Sequence, residues 1–181
     1  MHTEYEVRIL EIDSKKMIEK LESLHAKLLF DAVQRRYVYD FKPAEKKRWI
    51  RLRTNGEKST LTIKNVATSN IDGTQELEIV VDNFDRTHLI LKELGYEERS
   101  YQENRRIQYD LNGVEIDIDT WPKMPTYMEV EGSSEEAVYH ALDVLGIDRE
   151  DCTSLDVESI YGQYGIDIKN IRELKFEEEI K

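Results

Sequence analysis

Charged and apolar residues alternate along several short segments of the chain, and this two-residue period constrains the fold more than any other feature. In EYEVRIL (4–10), two acids lie two residues apart with apolar side chains between them, and the pattern returns in QELEIVV (75–81) and YMEVEG (127–132). Two arginines are spaced in the same way in RWIRLRTN (48–55). Because successive side chains of a β-strand point to opposite faces, each segment predicts a strand with one ionisable face and one aliphatic face.

Further alternating segments raise the number of predicted strands to about eight. They are VQRRYVYDF (33–41), RWIRLRTN (48–55), STLTIKNV (59–66), NRRIQYDL (104–111) and GVEIDID (113–119). The Asn-Gly pairs at 55–56 and 112–113 favour tight hairpins, so we expect most of the strands to run antiparallel. Eight antiparallel strands can close into a barrel.

A helical pattern follows each of the three strands that carry paired acids. The first helix has Asp13 or Ser14 as its cap, the second stops at Gly95, and the third begins at a serine and stops at Gly146. The apolar faces expected to be buried are Met17, Ile18, Leu21, Leu24 and Leu28 in the first, Phe84, Leu89, Ile90 and Leu94 in the second, and Ala137, Val138, Ala141, Leu142 and Leu145 in the third.

These patterns predict one α+β domain over residues 1–181, with a barrel core at 2–146 and a C-terminal helical tail at 147–181. The core is expected to be a closed eight-stranded antiparallel β-barrel with helices packed outside. The tail is expected to form one or two short helices, VESIYGQYG (157–165) and IRELKFEEEI (171–180).

The charged faces of the strands could either meet solvent or line the inside of the barrel. An antiparallel sheet with one solvated face also alternates, and for any one strand that explanation is favoured. Taken together, however, the acids occur as spaced pairs on some strands and the bases as a spaced pair on another. The helices can also cover only one side of the sheet, so we expect the charges to line the lumen.

A charged lumen needs counter-ions, because burying an uncompensated charge costs several kcal/mol or more. Paired carboxylates suit hard divalent cations such as Mg²⁺ or Mn²⁺. Arg51 and Arg53 suit the oxygens of phosphate groups. Carboxylates that bind a cation and arginines that bind phosphate, when both act on one ligand, are typical of a polyphosphate site.

The composition excludes several other classes of function. The chain has 26 lysines and arginines against 38 acids, a formal net charge of −12, which argues against nucleic acid as a general partner. No apolar run approaches the roughly 20 residues of a membrane span, and the early charged strand argues against a secretory signal. Cys152 is the only cysteine, so no intrachain disulfide can form and we expect a reducing, cytoplasmic setting. The composition leaves a homodimer open.

The order of these motifs resembles the CYTH family of triphosphate tunnel metalloenzymes, which includes class IV adenylate cyclases, thiamine triphosphatases and inorganic triphosphatases. The family's ExExK, RxR, lysine and central ExE motifs are matched by Glu4, Glu6 and Arg8, by Arg51 and Arg53, by Lys64, and by Glu76 and Glu78. Its KxR and closing segments are matched by Asn104 and Arg106, and by Asp117, Asp119, Glu129 and Glu131. The chain departs from the family at Arg8 and Asn104, where lysines are expected.

The resemblance implies a role for each of these residues. Metal ligands would be Glu4, Glu6, Glu129 and Glu131, helped by Asp117 or Asp119. Glu76 and Glu78 would hold a second metal ion or orient the attacking water. The phosphate chain would be bound by Arg8, Arg51, Arg53, Lys64 and Arg106. Arg8 is expected to hold phosphate tightly and to slow turnover, because a guanidinium does not replace a compact ammonium.

Three functions share such a tunnel. The first is a metal-dependent triphosphatase that acts on inorganic triphosphate, ATP or thiamine triphosphate. The second is an adenylate cyclase that makes cyclic AMP and pyrophosphate, and the third is a binder of polyphosphate or nucleotide without catalysis. Trp49, Trp121 and Tyr127 could stack on a base or thiamine ring at the tunnel mouth, although we expect Trp49 to point outward and favour packing for all three. Hydrolysis is ranked first because it requires only a placed water.

Overall fold

The computed structural model describes residues 1–45, 47–66, 68 and 70–177, so the last four residues of the predicted tail, 178–181, lie outside the described residues. The strands are β1 (His2–Ile9), β2 (Lys27–Asp40), β3 (Arg48–Thr54), β4 (Ser59–Val66), β5 (Thr74–Val81), β6 (Glu98–Leu111), β7 (Val114–Thr120), β8 (Tyr127–Gly132), β9 (Cys152–Thr153) and β10 (Glu173–Leu174). The α-helices are α1 (Ser14–Ser23), α2 (Phe84–Glu93), α3 (Glu135–Leu145) and α4 (Val157–Gln163). Short 3-10 turns occupy Arg149–Asp151 and Ile168–Asn170.

Eight of the strands close into an antiparallel barrel. Their order around the wall is β6-β2-β3-β4-β5-β1-β8-β7, and β7 pairs back onto β6. The two short strands pair outside this ring, β9 antiparallel to β1 and β10 parallel to β6. The predicted eight-stranded closed barrel is therefore confirmed.

The apolar core lies between the outer face of the barrel wall and the helices. On one side, Ile116 and Val130 of the wall are fully buried with Val138 and Leu142 of α3. On another side, α2 contributes Phe84 and Leu91 to a cluster with Tyr39 of β2 and Leu52 of β3. Where the aliphatic side chains of a strand pack outward against the helices, the ionisable side chains that alternate with them point into the lumen.

The helix termini follow the predicted signals. Asp13 caps α1 by accepting a hydrogen bond from the Lys16 amide, and Ser134 caps α3 through the Ala137 amide. Gly146 ends α3 in the left-handed conformation, with φ of 73°. A residue without a Cβ adopts that conformation at little cost, so this glycine defines the end of the helix.

The expected faces of the first two helices are partly wrong. Helix α1 ends at Ser23, and Leu28 lies in β2, half exposed, because the chain reverses at His25, where φ is 58°. In α2 the buried residues are Phe84 and Leu91, whereas Leu89, Ile90 and Leu94 are exposed.

A histidine explains the different face of α2. His88 lies between Phe84 and Leu91 on the buried side, where its ring stacks on Tyr37 at a centroid distance of 4.1 Å. Its Nδ1 also hydrogen-bonds the Tyr39 hydroxyl at 2.7 Å. A count of apolar residues alone does not include this polar member, so the periodicity indicated the wrong side.

The tail is less helical than predicted. The first expected helix forms as α4, but Glu173–Leu174 is a strand, β10, that pairs with Tyr101 and Gln102 of β6. The prediction failed because Leu174 is buried against the Trp121 cluster from an extended backbone. Within the described part of the chain, no helix is both long and apolar enough to cross a membrane.

Candidate active site

The residues predicted for the site lie on the inward faces of seven of the eight wall strands. Seven of them are buried: Glu4, Glu6, Arg8, Arg51, Asp117, Asp119 and Glu129. Arg53, Lys64, Glu76, Arg106 and Glu131 are half-buried, and Glu78 is exposed. The lumen therefore concentrates ionisable side chains of both signs in a space shielded from water, where charges interact more strongly than they do at the surface.

Three carboxylates meet at one place in the lumen. Glu6 of β1 pairs directly with Glu131 of β8. Glu129 lies two residues before Glu131, on the same face of β8. One oxygen from each of the three lies within 4.8 Å of the others. Glu4 belongs to the same region, but its carboxylate is 3.4 Å from the Lys64 ammonium.

The electrostatics of this acid cluster (Glu6, Glu129 and Glu131) differ from one member to the next. Burial and the nearby carboxylates of Glu4, Glu129 and Glu6 raise the pKa of Glu131 to about 8. Burial also opposes the ionisation of Glu129, yet the guanidiniums of Arg8 and Arg106 hold its pKa at about 2. The Glu131 carboxyl therefore holds a proton near neutral pH, and a bound cation would have to displace that proton.

A divalent cation fits this cluster chemically. Three carboxylate oxygens close together are the ligands that Mg²⁺ and Mn²⁺ prefer. The raised pKa of Glu131 indicates that the bases of the protein do not offset the cost of ionising this carboxyl, so its ionised form would gain from a cation. Glu6, Glu129 and Glu131 would hold such an ion, and of the acids predicted as ligands these are the three that the structure brings together.

Arg8 lies beside the acid cluster. Its Nη2 is 2.7 Å from Glu129 and 3.0 Å from Glu6, and its Nη1 donates to the Leu155 carbonyl at 2.9 Å. The guanidinium is thus already shared between two carboxylates and the backbone that leads into α4. In this arrangement Arg8 neutralises two of the acids that are candidates for cation binding.

The predicted phosphate-binding bases on β3 and β4 are paired with the acids of β5. Arg51 lies 3.4 Å from Glu76 and 3.6 Å from Glu78, and Lys64 forms an ion pair with Glu76. Arg53 is 4.0 Å from Glu78. Glu76 and Glu78 therefore contact the bases of the lumen and stand apart from the acid cluster.

Arg106 separates the acids of β7 from the acid cluster. Its Nε is 2.9 Å from one oxygen of Asp119 and its Nη2 is 2.5 Å from the other. It also pairs with Asp117 and lies 3.6 Å from Glu129. Burial, together with Asp119 and Glu129, nevertheless raises the pKa of Asp117 to about 7 against the effect of Arg106. Asp117 and Asp119, proposed as helping metal ligands, are held by this arginine.

The C-terminal segment covers one end of the lumen. Trp121 and Tyr127 continue the inward faces of β7 and β8 and are buried with Ile160 and Tyr161 of α4. The Trp121 indole donates to the Tyr127 hydroxyl at 3.1 Å, and the Tyr161 hydroxyl donates to the Pro122 carbonyl at 2.7 Å. Trp121 and Tyr127 are therefore packed side chains at this end.

One residue of the lumen lies on the opposite face from the one predicted, and another was not predicted for the site. Trp49 shares the inward face of Arg51, because Ile50 is the residue that packs outward, so its expected outward position is wrong. Arg36 of β2 is buried in the lumen and was not predicted for the site. The signal was present, since Tyr37 occupies the apolar outward face and so assigns its neighbour Arg36 to the inward one.

Comparisons with known proteins agree with this architecture. In solved structures the fold resembles a Pyrococcus horikoshii protein with a TM-score of 0.72 and 22% identity, over 84% of this chain and 96% of that chain. It also resembles a candidate adenylate cyclase from Vibrio parahaemolyticus, with a TM-score of 0.74 and 12% identity over 89% and 98% of the two chains.

A third similar structure is a candidate adenylyl cyclase from Hippeastrum in which triphosphatase activity is dominant. Its TM-score is 0.60 and its identity 15%, over 94% of this chain and 100% of that chain. No curated protein matches the chain in sequence. The family model of the CYTH domain matches residues 2–152. Because that match spans most of the sequence, the chain belongs to the CYTH domain family.

Proposed function

We propose that the protein is a divalent-metal-dependent enzyme that hydrolyses a phosphoanhydride bond of a triphosphate inside the barrel. The observation that carries this proposal is the acid cluster of Glu6, Glu129 and Glu131, which brings three carboxyl groups together in the same lumen as Arg51 and Arg53. A site that accepts a cation at one place and offers guanidiniums nearby suits a ligand that carries both metal and negative charge. Membership of the CYTH family supports this assignment.

The residues of the chain divide the work by their position. Glu6, Glu129 and Glu131 would hold Mg²⁺ or Mn²⁺, which when bound would neutralise phosphate oxygens and so make the phosphorus atom more susceptible to attack by water. Arg51 and Arg53 bind the phosphate chain by exchanging their carboxylate partners for phosphate oxygens.

Four further residues complete the proposed site. Lys64 and Arg106 add positive charge along the same path. Glu78, an exposed acid of the lumen, would accept a hydrogen bond from an attacking water, assisted by Glu76 on the same face of β5. The single cysteine, Cys152, is the basis for expecting a reducing, cytoplasmic setting.

Hydrolysis ranks above cyclisation because the cyclase needs a pocket for the purine as well. Two of the aromatic residues considered for such a pocket, Trp121 and Tyr127, are buried against α4. Inorganic triphosphate, ATP and thiamine triphosphate remain the candidate substrates. A family relative that combines a cyclase assignment with dominant triphosphatase activity supports the same order.

The test is an assay of the purified protein against these three triphosphates with Mg²⁺ or Mn²⁺, with the products identified. We expect release of orthophosphate or pyrophosphate that EDTA abolishes, and loss of turnover in Glu6→Gln. Glu57→Gln, an exposed acid in the turn between β3 and β4, is the matched control and should behave as the wild type. Turnover that survives EDTA would refute the proposed site. Formation of cyclic AMP would establish the cyclase, and binding without turnover would establish the binder.

A further inference from the structure

Arg36 is a buried guanidinium whose direct partners are all neutral. Arg36 is only 6% exposed. Its Nη2 donates to the side-chain oxygen of Asn104 and, at 3.3 Å, to that of Gln34. The guanidinium carbon lies 4.5 Å from the centre of the Trp121 ring. Its Nε has no hydrogen-bond partner in the part of the chain that the structure describes.

Other arginines of the lumen differ from Arg36 because they have carboxylate partners. Arg8, Arg51 and Arg106 each form an ion pair with at least one carboxylate, and no ion pair in the described ranges includes Arg36. The nearest link to an acid runs through Asn104, whose Nδ2 donates to Asp119 at 2.8 Å. Because Arg106 also binds that carboxylate, Asp119 compensates Arg36 only in part.

The surroundings add positive charge to this cation. Arg36 pairs directly with Arg53 across β2 and β3, an arrangement in which like charges repel. Burial and the positive charges of Arg53, Arg51 and Arg106 lower the pKa of Arg36 well below its usual range. Burial and neighbouring arginines likewise lower the pKa of Arg53, to about 9. An uncompensated buried charge of this kind is costly unless a counter-ion occupies the site.

We propose that Arg36 binds one phosphate group of the substrate chain, together with Arg53, at the Trp121 end of the lumen. This inference rests on the proposed function and adds a subsite to it. Two guanidiniums on directly opposite strand positions offer several N–H donors to a single tetrahedral anion. The stack on Trp121 and the bond to Asn104 fix the plane of the Arg36 guanidinium. Arg36 thereby supplies, beside Asn104, the positive charge that position 104 lacks.

The experiment measures binding of inorganic triphosphate and pyrophosphate, without metal, by calorimetry. Arg36→Gln should weaken both affinities about 10- to 100-fold, the effect of losing charged hydrogen bonds to an anion. Arg36→Lys keeps the charge but not the planar guanidinium, so its affinities should lie between those of the wild type and of Arg36→Gln. The control is Arg105→Gln, which removes an exposed arginine paired with Asp31 on the outer face and should bind as the wild type.

The unfolding midpoint without ligand separates a binding role from a structural one. Removing an unpaired buried charge should leave Arg36→Gln at least as stable as the wild type, and phosphate anions should stabilise it less. A variant that unfolds early and whose folded fraction binds normally would overturn the inference, as would unchanged affinity. Arg36-dependent binding in a protein that turns over no triphosphate would support the subsite and refute the proposed hydrolase. A wild type that binds neither anion without metal would overturn the subsite, and one that also turns over no triphosphate with Mg²⁺ or Mn²⁺ would overturn both.

Discussion

Glu131 offers the sharpest test of the acid cluster, because ionising its carboxyl should be unfavourable in the folded protein when no cation is bound. Its pKa is raised from an ordinary 4.5 to about 8 by burial and by the carboxylates of Glu4, Glu129 and Glu6. The unfolded chain ionises this group at pH 7, whereas the folded protein retains the proton. Each pKa unit corresponds to about 1.4 kcal/mol, so at pH 7 folding is disfavoured by roughly 3 kcal/mol relative to a neutral side chain of the same shape.

Glu131→Gln should therefore stabilise the metal-free protein by about 3 kcal/mol at pH 7. The sign follows from the raised pKa: the folded state binds more protons, so wild-type stability is fully present below pH 4.5 and is lost as pH rises towards 8. The advantage of the variant should shrink to about 1 kcal/mol at pH 5. Urea unfolding in EDTA at pH 5, 6, 7 and 8 measures both values.

Added Mg²⁺ or Mn²⁺ should reverse the order of the two proteins. A cation at 1,000 times its Kd stabilises the wild type by about 4.1 kcal/mol, which exceeds the advantage of the variant at pH 7, and the variant, which lacks one ligand, should gain much less. Glu57→Gln controls for the loss of a single exposed acid. A Glu131→Gln protein that is less stable than the wild type in EDTA, or that gains equally from the cation, would refute the reasoning.

Three further predictions concern the ion pairs of the lumen. Arg106→Gln should lower the free energy of unfolding by about 3–5 kcal/mol, because it leaves Asp117 buried without its cation; urea unfolding that shows a loss below about 1 kcal/mol would contradict this. Glu4→Gln combined with Glu6→Gln should abolish turnover and leave the circular dichroism spectrum unchanged, and residual turnover would remove both from the site. Arg8→Lys should raise kcat with little gain in affinity for triphosphate, since a smaller cation holds ground-state phosphate less tightly. A lower kcat in Arg8→Lys would contradict this prediction and would mean that the guanidinium itself supports turnover.

The barrel could be predicted from the sequence because the patterns that indicate its strands and hairpins lie within short segments of the chain. A two-residue period and two Asn-Gly turns determine which side chains share a face and which strands are neighbours. Tertiary contacts decided the parts that could not be predicted. The buried side of α2 depends on His88 stacking on Tyr37, and the extended conformation at Leu174 depends on the cluster around Trp121.

The partners inside the lumen were also beyond the sequence. Alternation places Arg106 and Glu129 inside, but it does not say which acid each base will contact, because that depends on the tilt of strands far apart in the chain. Motif order suggested that Asp117 would help to hold a metal ion, whereas the structure pairs it with Arg106. Arg36 was not predicted for the lumen because it belongs to no pair of like charges spaced two residues apart.

The close pairing of acids and bases in the lumen has a consequence for how any polyanion enters it. The inward residues described above comprise the eight acids Glu4, Glu6, Glu76, Glu78, Asp117, Asp119, Glu129 and Glu131, and the six bases Arg8, Arg36, Arg51, Arg53, Lys64 and Arg106. Such a lumen should behave as an ion exchanger, because a phosphate group that binds any of these guanidiniums except that of Arg36 must first displace the carboxylate that holds it. Each displaced carboxylate is then free to take a cation, so the uptake of phosphate and of cation are two halves of one exchange, and each promotes the other.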